Sequence, residues 1–174
     1  MTQGIIEQLD KQHNRNEFDC GVPELNGFLQ RTARRNASNH ISRTMVMVNS
    51  ETPSEIMGFY MVVITSVKPP PTRAYRSYPT DVPGLLLARL AVDKKYQNNC
   101  LGTYLLIDAL MKAKKSAEIS APIVGVFVNA KDAKVRRFYE TFGFMCVETE
   151  GDPNYLWIPV ATMHKLLDQL GRST

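Results

Sequence analysis

The block Leu87-Ala88-Arg89-Leu90-Ala91-Val92-Asp93, continuing through Lys94-Lys95-Tyr96-Gln97-Asn98-Asn99-Cys100 into Leu101-Gly102-Thr103, constrains this chain more than any other stretch. Leu85 to Val92 is apolar enough for a buried strand, and Leu101 to about Ser120 carries Leu105, Leu106, Ala109, Leu110 and Ala113 at helical spacing. Only a short polar loop separates them. A strand that turns at once into a helix leaves the first helical amides without intrahelical acceptors, and the helix dipole adds positive potential there. Such a start can hold phosphate oxygens, and a pyrophosphate is its natural guest. The commonest phosphate loops are absent: no Gly-x-Gly-x-x-Gly follows the strand, and no Gly-Lys-Ser/Thr ends the loop. The ordinary alternative is a strand–turn–helix that binds nothing.

The remaining chain supplies a core for this block. Its 174 residues, 44% hydrophobic and 22% charged, suit one globular domain over residues 1–174. No stretch approaches the roughly 18 apolar residues of a membrane span, and the first residues lack a basic and an apolar targeting region. A cytoplasmic protein without membrane contact is expected. Cys20, Cys100 and Cys146 are too scattered for a disulfide framework or a zinc site, so reduced thiols and no metal are expected.

Ile5 and Ile6 predict a short strand, and Pro23 opens a helix whose Leu25, Phe28, Leu29 and Ala33 face a core. Thr44 to Val48 and Ile56 to Thr65 predict an antiparallel hairpin, and the prolines from Lys68 to Pro83 predict a loop. Ile123 to Val128 reads as a strand and Ala130 to Phe142 as a helix ended by Gly143. Phe144 to Thr149 and Tyr155 to Ile158 read as strands joined by Gly151-Asp152-Pro153-Asn154, before a last helix from about Ala161 to Leu170. The expected class is α/β (α+β), a mixed sheet flanked by helices. Many functions share that architecture.

Charge is clustered. Leu25 to Ser50 holds Arg31, Arg34, Arg35 and Arg43 with no acidic residue, and Ile56 to Thr80 holds Lys68, Arg73 and Arg76 likewise. Such runs suit a phosphate backbone, because bound cations release its counterions. A solvated helix face and a polar loop are the plain alternative.

Gln97, Gly102 and the preceding Arg89-Leu90-Ala91-Val92-Asp93 resemble the Q/R-x-x-G-x-G/A motif of GNAT acetyltransferases, which holds the pyrophosphate of coenzyme A. Cys100 stands where the first glycine is usual. If that position needs a positive φ, a Cβ costs about 1–2 kcal/mol and the thiol crowds the phosphate, which weakens binding. A second block, Phe127-Val128-Asn129-Ala130 leading to Phe138-Tyr139 and Gly143-Phe144, resembles the GNAT segment after the strand that splays to admit the pantetheine arm. The resemblance implies the GNAT fold, a mostly antiparallel mixed sheet with splayed strands at an acetyl-CoA site. It implies cofactor contacts from Leu90, Ala91, Val92, Gln97, Asn98, Asn99, Cys100, Leu101, Gly102, Thr103, Asn129 and Phe138, and it makes Tyr139 the general acid. A phenol of reference pKa near 10 can protonate a departing thiolate without ionising at neutral pH. The alternative for Tyr139 is a core aromatic beside Phe138 and Phe142.

Phe18-Asp19-Cys20-Gly21 with Leu25-Asn26 and Phe28-Leu29, and the ending Leu156-Trp157-Ile158-Pro159, resemble the acetyltransferase toxins of bacterial toxin–antitoxin modules. That likeness runs from about Phe18 to Leu170. It implies acetylation of the α-amine of aminoacyl-tRNA, arrest of translation, a ribbon-helix-helix antitoxin through which operator DNA is bound, and a homodimer. The chemistry agrees, since an α-amine titrates near 7.7–8 and a lysine near 10.4, so this substrate needs little general base. His13 and His40, in polar surroundings, and His164 read as surface residues and not as a base. Arg31, Arg34, Arg35, Arg73, Arg76 and Arg89 then become candidates for holding the tRNA. Two other readings stay open: a GNAT acting on a small or protein amine, and a catalytically weak GNAT that only binds a partner.

Overall fold

The structure is a computed structural model that describes residues 4–147 and 152–173. Its elements are β1 (Gly4–Gln8), α1 (Pro23–Gly27), a π-helical turn (Phe28–Thr32), α2 (Ala33–Ser38), β2 (Arg43–Asn49), β3 (Ile56–Val67) and β4 (Val82–Val92). Then follow α3 (Leu101–Ile119), β5 (Gly125–Asn129), α4 (Ala133–Glu140), β6 (Met145–Cys146), β7 (Tyr155–Pro159) and α5 (Val160–Arg172). The strand order is β1-β2-β3-β4-β5-β7-β6. β1–β2, β2–β3, β5–β7 and β6–β7 are antiparallel; β4 and β5 are parallel, the pair that needs a crossover, and α3 supplies it. The mixed, mostly antiparallel sheet expected from the sequence is present. The β4–β5 ladder covers Leu85–Leu87 and Val126–Val128, while β4 itself runs on to Val92.

The chain forms two compact units. One comprises the residues up to Val63 with Ala88–Ala109, the other Ile64–Leu87 with the residues from Leu110 on. In the first, Phe59 is fully buried, edge-on to Phe18 at 5.4 Å and stacked on Phe28 at 6.3 Å. Burying a side chain of that size stabilises by about 1.5–3 kcal/mol. Gly58 beside it lets α3 approach, because a Cβ there would lie 2.9 Å from both the Ala91 carbonyl oxygen and Leu105 Cδ1. In the second unit Val67, Val82, Phe127, Val147 and Trp157 form the core, with Phe127 stacked on Trp157 at 5.4 Å.

Most predicted elements stand where the periodicity puts them, and the departures have local causes. The helix expected over Ala130 to Phe142 is α4, Ala133–Glu140. Asp132 caps it from extended geometry, its Oδ1 accepting the Val135 N–H at 2.9 Å, and the Ala130 N–H is already given to Asn154. Pro83, expected in the loop, is the second residue of β4, where its carbonyl accepts from the Val124 N–H. The strand expected over Phe144 to Thr149 is Met145–Cys146; Thr149 and Gly151 lie outside the described residues. The helix after Pro23 carries one π turn, in which the Ala33 N–H reaches the Phe28 carbonyl. Residues five apart diverge by about 140° in an α-helix, and the wider turn brings Ala33 back beneath Phe28. Both are buried.

Candidate functional site

In the first unit, residues 93–104 are built by two carboxylates. Asp93, 3% exposed, accepts the Lys95 N–H on Oδ1 and the Asp19 N–H on Oδ2, both at 2.9 Å. Asp19 accepts from the Gly21 N–H and Asn26 Nδ2 at 2.8 Å and from Lys94 Nζ at 3.0 Å. Lys94 first, then those two hydrogen bonds, hold its carboxyl down at about 2. The Phe18-Asp19-Cys20-Gly21 and Arg89-to-Asp93 signatures are therefore one hydrogen-bonded construction, which spacing alone does not reveal.

Gln97 belongs to the same frame. Its side-chain amide donates to the Val92 and Cys20 carbonyls at 2.9 and 3.2 Å, so it braces the loop from β4. The Asn99 amide donates to the Tyr96 and Gln97 carbonyls. Asn98 and Cys100 both lie in the left-handed region, at φ 66° and 59°. Alternation of left-handed and ordinary residues turns successive amides toward one point, a nest for an anion. Asparagine tolerates that conformation; for Cys100 it costs about 1–2 kcal/mol. The Cys100 carbonyl takes the first bonds of α3, from the Thr103 and Tyr104 amides. The Leu101 and Gly102 amides precede any intrahelical acceptor, no acidic residue occupies the first turn, and the Cys100 thiol is exposed. This is a fit for phosphate oxygens. Ala91 is buried, with Leu90 and Val92 half-buried beside it in β4.

In the second unit, Tyr139 lies in the last turn of α4 at 6% exposure. Phe138 meets it edge-on at 5.2 Å and Phe144 lies tilted at 5.4 Å, while Phe142 packs on Phe138. Gly143, at φ 92°, reverses the chain so that Phe144 returns against the helix, a turn that favours glycine. Burial alone pushes the Tyr139 phenol up to about 12, with no neighbouring charge or hydrogen bond contributing. Asn129 is exposed at the end of β5, and Phe138 is half-buried.

The cations divide by environment. Arg31, Arg35, Arg43, Arg73 and Arg76 are exposed and Arg34 is half-buried. Arg89 places its guanidinium 4.1 Å from the Phe28 ring centroid, and burial lowers its pKa. It bears on the π turn, a feature that no sequence signal announces. His13 corrects the surface assignment. It is 3% exposed, its Nδ1 accepts the Asp10 N–H, and its Nε2 donates to Glu7 Oε1 at 2.8 Å. The polar neighbours that suggested a surface are what satisfy a buried imidazole. His40 is exposed and His164 half-buried.

Residues 78–167 match the acetyltransferase (GNAT) domain family. A tRNA-acetylating toxin of Mycobacterium tuberculosis is 34% identical over 143 residues, covering 81% of this chain and 82% of that protein. The solved structure of AtaT complexed with acetyl-methionyl-tRNAfMet superposes with a TM-score of 0.85 at 25% identity, covering 94% of this chain and 99% of that one. A tyrosine-to-phenylalanine variant of AtaT, solved with the C-terminus of the antitoxin AtaR and acetyl-CoA, gives 0.79 at 25% identity, covering 94% and 97%. With a matching family over half its length, a close relative over four-fifths of it and the amide nest in place, the chain belongs to the GNAT acetyltransferase family.

Proposed function

We propose that this chain transfers the acetyl group of acetyl-CoA to the α-amino group of aminoacyl-tRNA, as the toxin of a toxin–antitoxin pair that blocks translation. The observation that carries the reading is its 34% identity, over most of both chains, with a tRNA-acetylating toxin. The exposed amide nest at the start of a 19-residue helix supports the cosubstrate. The chain acts as one GNAT domain, in the cytoplasm, as a homodimer, and its antitoxin is of the ribbon-helix-helix type that carries it to operator DNA.

Bound acetyl-CoA supplies the acetyl group as a thioester. In this reading the amides of Asn98, Asn99, Cys100, Leu101, Gly102 and Thr103 take the pyrophosphate oxygens, while Gln97 holds their loop in shape. Leu90, Ala91 and Val92 offer the backbone of β4 to the pantetheine arm, and Asn129 and Phe138 are taken as further coenzyme contacts from the family likeness. β4 continues past its ladder with β5, which supports this assignment. The Tyr139 hydroxyl hands its proton to the departing sulfur; at a pKa of about 12 it stays protonated at any physiological pH. The α-amine needs no strong base, and both ring nitrogens of His13 are engaged elsewhere. Exposed Arg31, Arg35, Arg73 and Arg76, with Arg34, hold phosphates at the acceptor end of the tRNA, and Arg89 braces the π turn.

One observation favours the weaker, partner-binding reading: Cys100 is forced into a left-handed conformation at the phosphate loop. Offering labelled acetyl-CoA with charged tRNA, deacylated tRNA, a polyamine and a lysine-rich protein separates the readings. Label in charged tRNA alone is expected. Label in the polyamine or protein, or in nothing, refutes the proposal.

A further inference from the structure

The loop between β3 and β4 holds more than the charge used above. It is shaped by its own backbone: the Thr72 N–H donates to Pro70, Tyr75 to Thr72 and Tyr78 to Tyr75, at 2.7, 3.1 and 3.0 Å. Pro70 is buried. These bonds bend the loop around an open groove of about 360 Å³, near the lower end of the roughly 300–1,000 Å³ of small-ligand sites. Tyr75, half-buried in its wall, packs edge-on against Trp157 at 5.1 Å, and Trp157 is 2% exposed. Tyr78 packs edge-on against Tyr75 at 5.3 Å and remains 42% exposed. An exposed ring packed on a half-buried one, which is itself held by buried Trp157, offers a flat face whose orientation is already set, so little entropy is lost on binding. Lys68 and Arg76 line the same groove, and no acidic residue occurs from Ile56 to Thr80.

From the juxtaposition of Tyr78 with Lys68 and Arg76, we infer that this groove binds an unpaired nucleobase of the single-stranded 3′ end of RNA, the base stacked on Tyr78 and its flanking phosphates on the two cations. The inference rests on the tRNA reading above and names the part of that substrate the loop takes. An acidic peptide would satisfy the cations and leave the ring unused, whereas a nucleotide uses both. Stacking tolerates any base, because every base has a π-face.

The test uses the whole chain and a labelled RNA hairpin in three forms: with a short single-stranded 3′ overhang, with that overhang abasic, and blunt. Fluorescence anisotropy reads affinity. Bases in the overhang should tighten binding about 5- to 150-fold over the abasic form. Tyr78→Ala should erase that gain and leave the blunt and abasic affinities unchanged, and Tyr78→Phe should keep it. Matching melting curves for the two variants show that the fold is intact. Equal affinity for base-bearing and abasic overhangs, or a gain that survives Tyr78→Ala, overturns the assignment. Displacement of the overhang RNA by polyglutamate, with Tyr78→Ala changing nothing, reassigns the groove to an acidic polypeptide. Acetylation of charged tRNA by the same natural protein keeps the two failures apart: if it proceeds, only the groove assignment falls.

Discussion

Cys100 and Tyr139 carry the residue-scale consequences. Cys100 sits at φ 59° in the phosphate loop with its thiol exposed. Glycine removes the Cβ penalty there, so Cys100→Gly should raise stability by up to about 1 kcal/mol and bind acetyl-CoA at least as tightly. Calorimetry that finds clearly weaker binding contradicts the steric account. Tyr139→Phe keeps the ring contacts with Phe138 and Phe144 and deletes only the proton donor. Acetyl-CoA affinity should survive and single-turnover transfer should fall about 10²–10⁴-fold. Near-normal transfer would make Tyr139 a packing residue. The same change has a signature in base. The phenol titrates near 10 unfolded and about 12 folded, so its contribution is complete below pH 10 and is lost as pH rises through 12. Between pH 8.5 and 11 the natural protein should therefore lose about 1–2 kcal/mol more than Tyr139→Phe, read from urea midpoints; equal losses would mean that the phenol is not held in its neutral form.

At the scale of elements, the phosphate loop depends on a frame drawn from distant segments. Asp93 ties the Lys95 amide, inside the loop, to the Asp19 amide of the N-terminal signature. Asp93→Ala leaves both part-buried donors without this acceptor, at up to about 1–3 kcal/mol each. It should destabilise the protein by a few kcal/mol and weaken acetyl-CoA binding even where the protein remains folded. A variant that melts early yet binds normally would confine Asp93 to stability. The arginine-bearing segments make a separate prediction. Replacing Arg34 and Arg35, or Arg73 and Arg76, by glutamate should weaken tRNA binding and reduce its log–log salt slope by about 0.7–0.9 for each phosphate that is no longer neutralised. Unchanged slopes in both double variants would return these residues to solvated surface.

For the whole molecule, elements with a long regular period were legible in the sequence. α3 buries Leu105, Leu106, Ala109, Leu110 and Ala113 as its spacing demands, and the β2–β3 hairpin follows its β-branched runs. The loop residues that form the nest were equally plain, because a strand turning into a helix leaves amides open wherever it occurs. What hydrogen bonds decide between distant residues was not legible. The Asp19–Asp93 link joins residues 74 apart, the π turn leaves no mark on composition, and His13 is buried by partners that read as polar surface. Nothing in the loop's composition orients Tyr75 and Tyr78: Tyr75 packs against Trp157, far along the chain, and Tyr78 against Tyr75. All of these serve one proposed reaction, acetyl transfer to the α-amine of an amino acid esterified to tRNA. Its most direct measurement incubates the natural protein with labelled acetyl-CoA and total aminoacylated tRNA, then opens the ester in mild base and identifies the released label. N-acetyl amino acid carrying the label is expected, and none from deacylated tRNA. Label retained on the RNA after ester cleavage, or released on an amino-acid side chain, would rule out transfer to the α-amine.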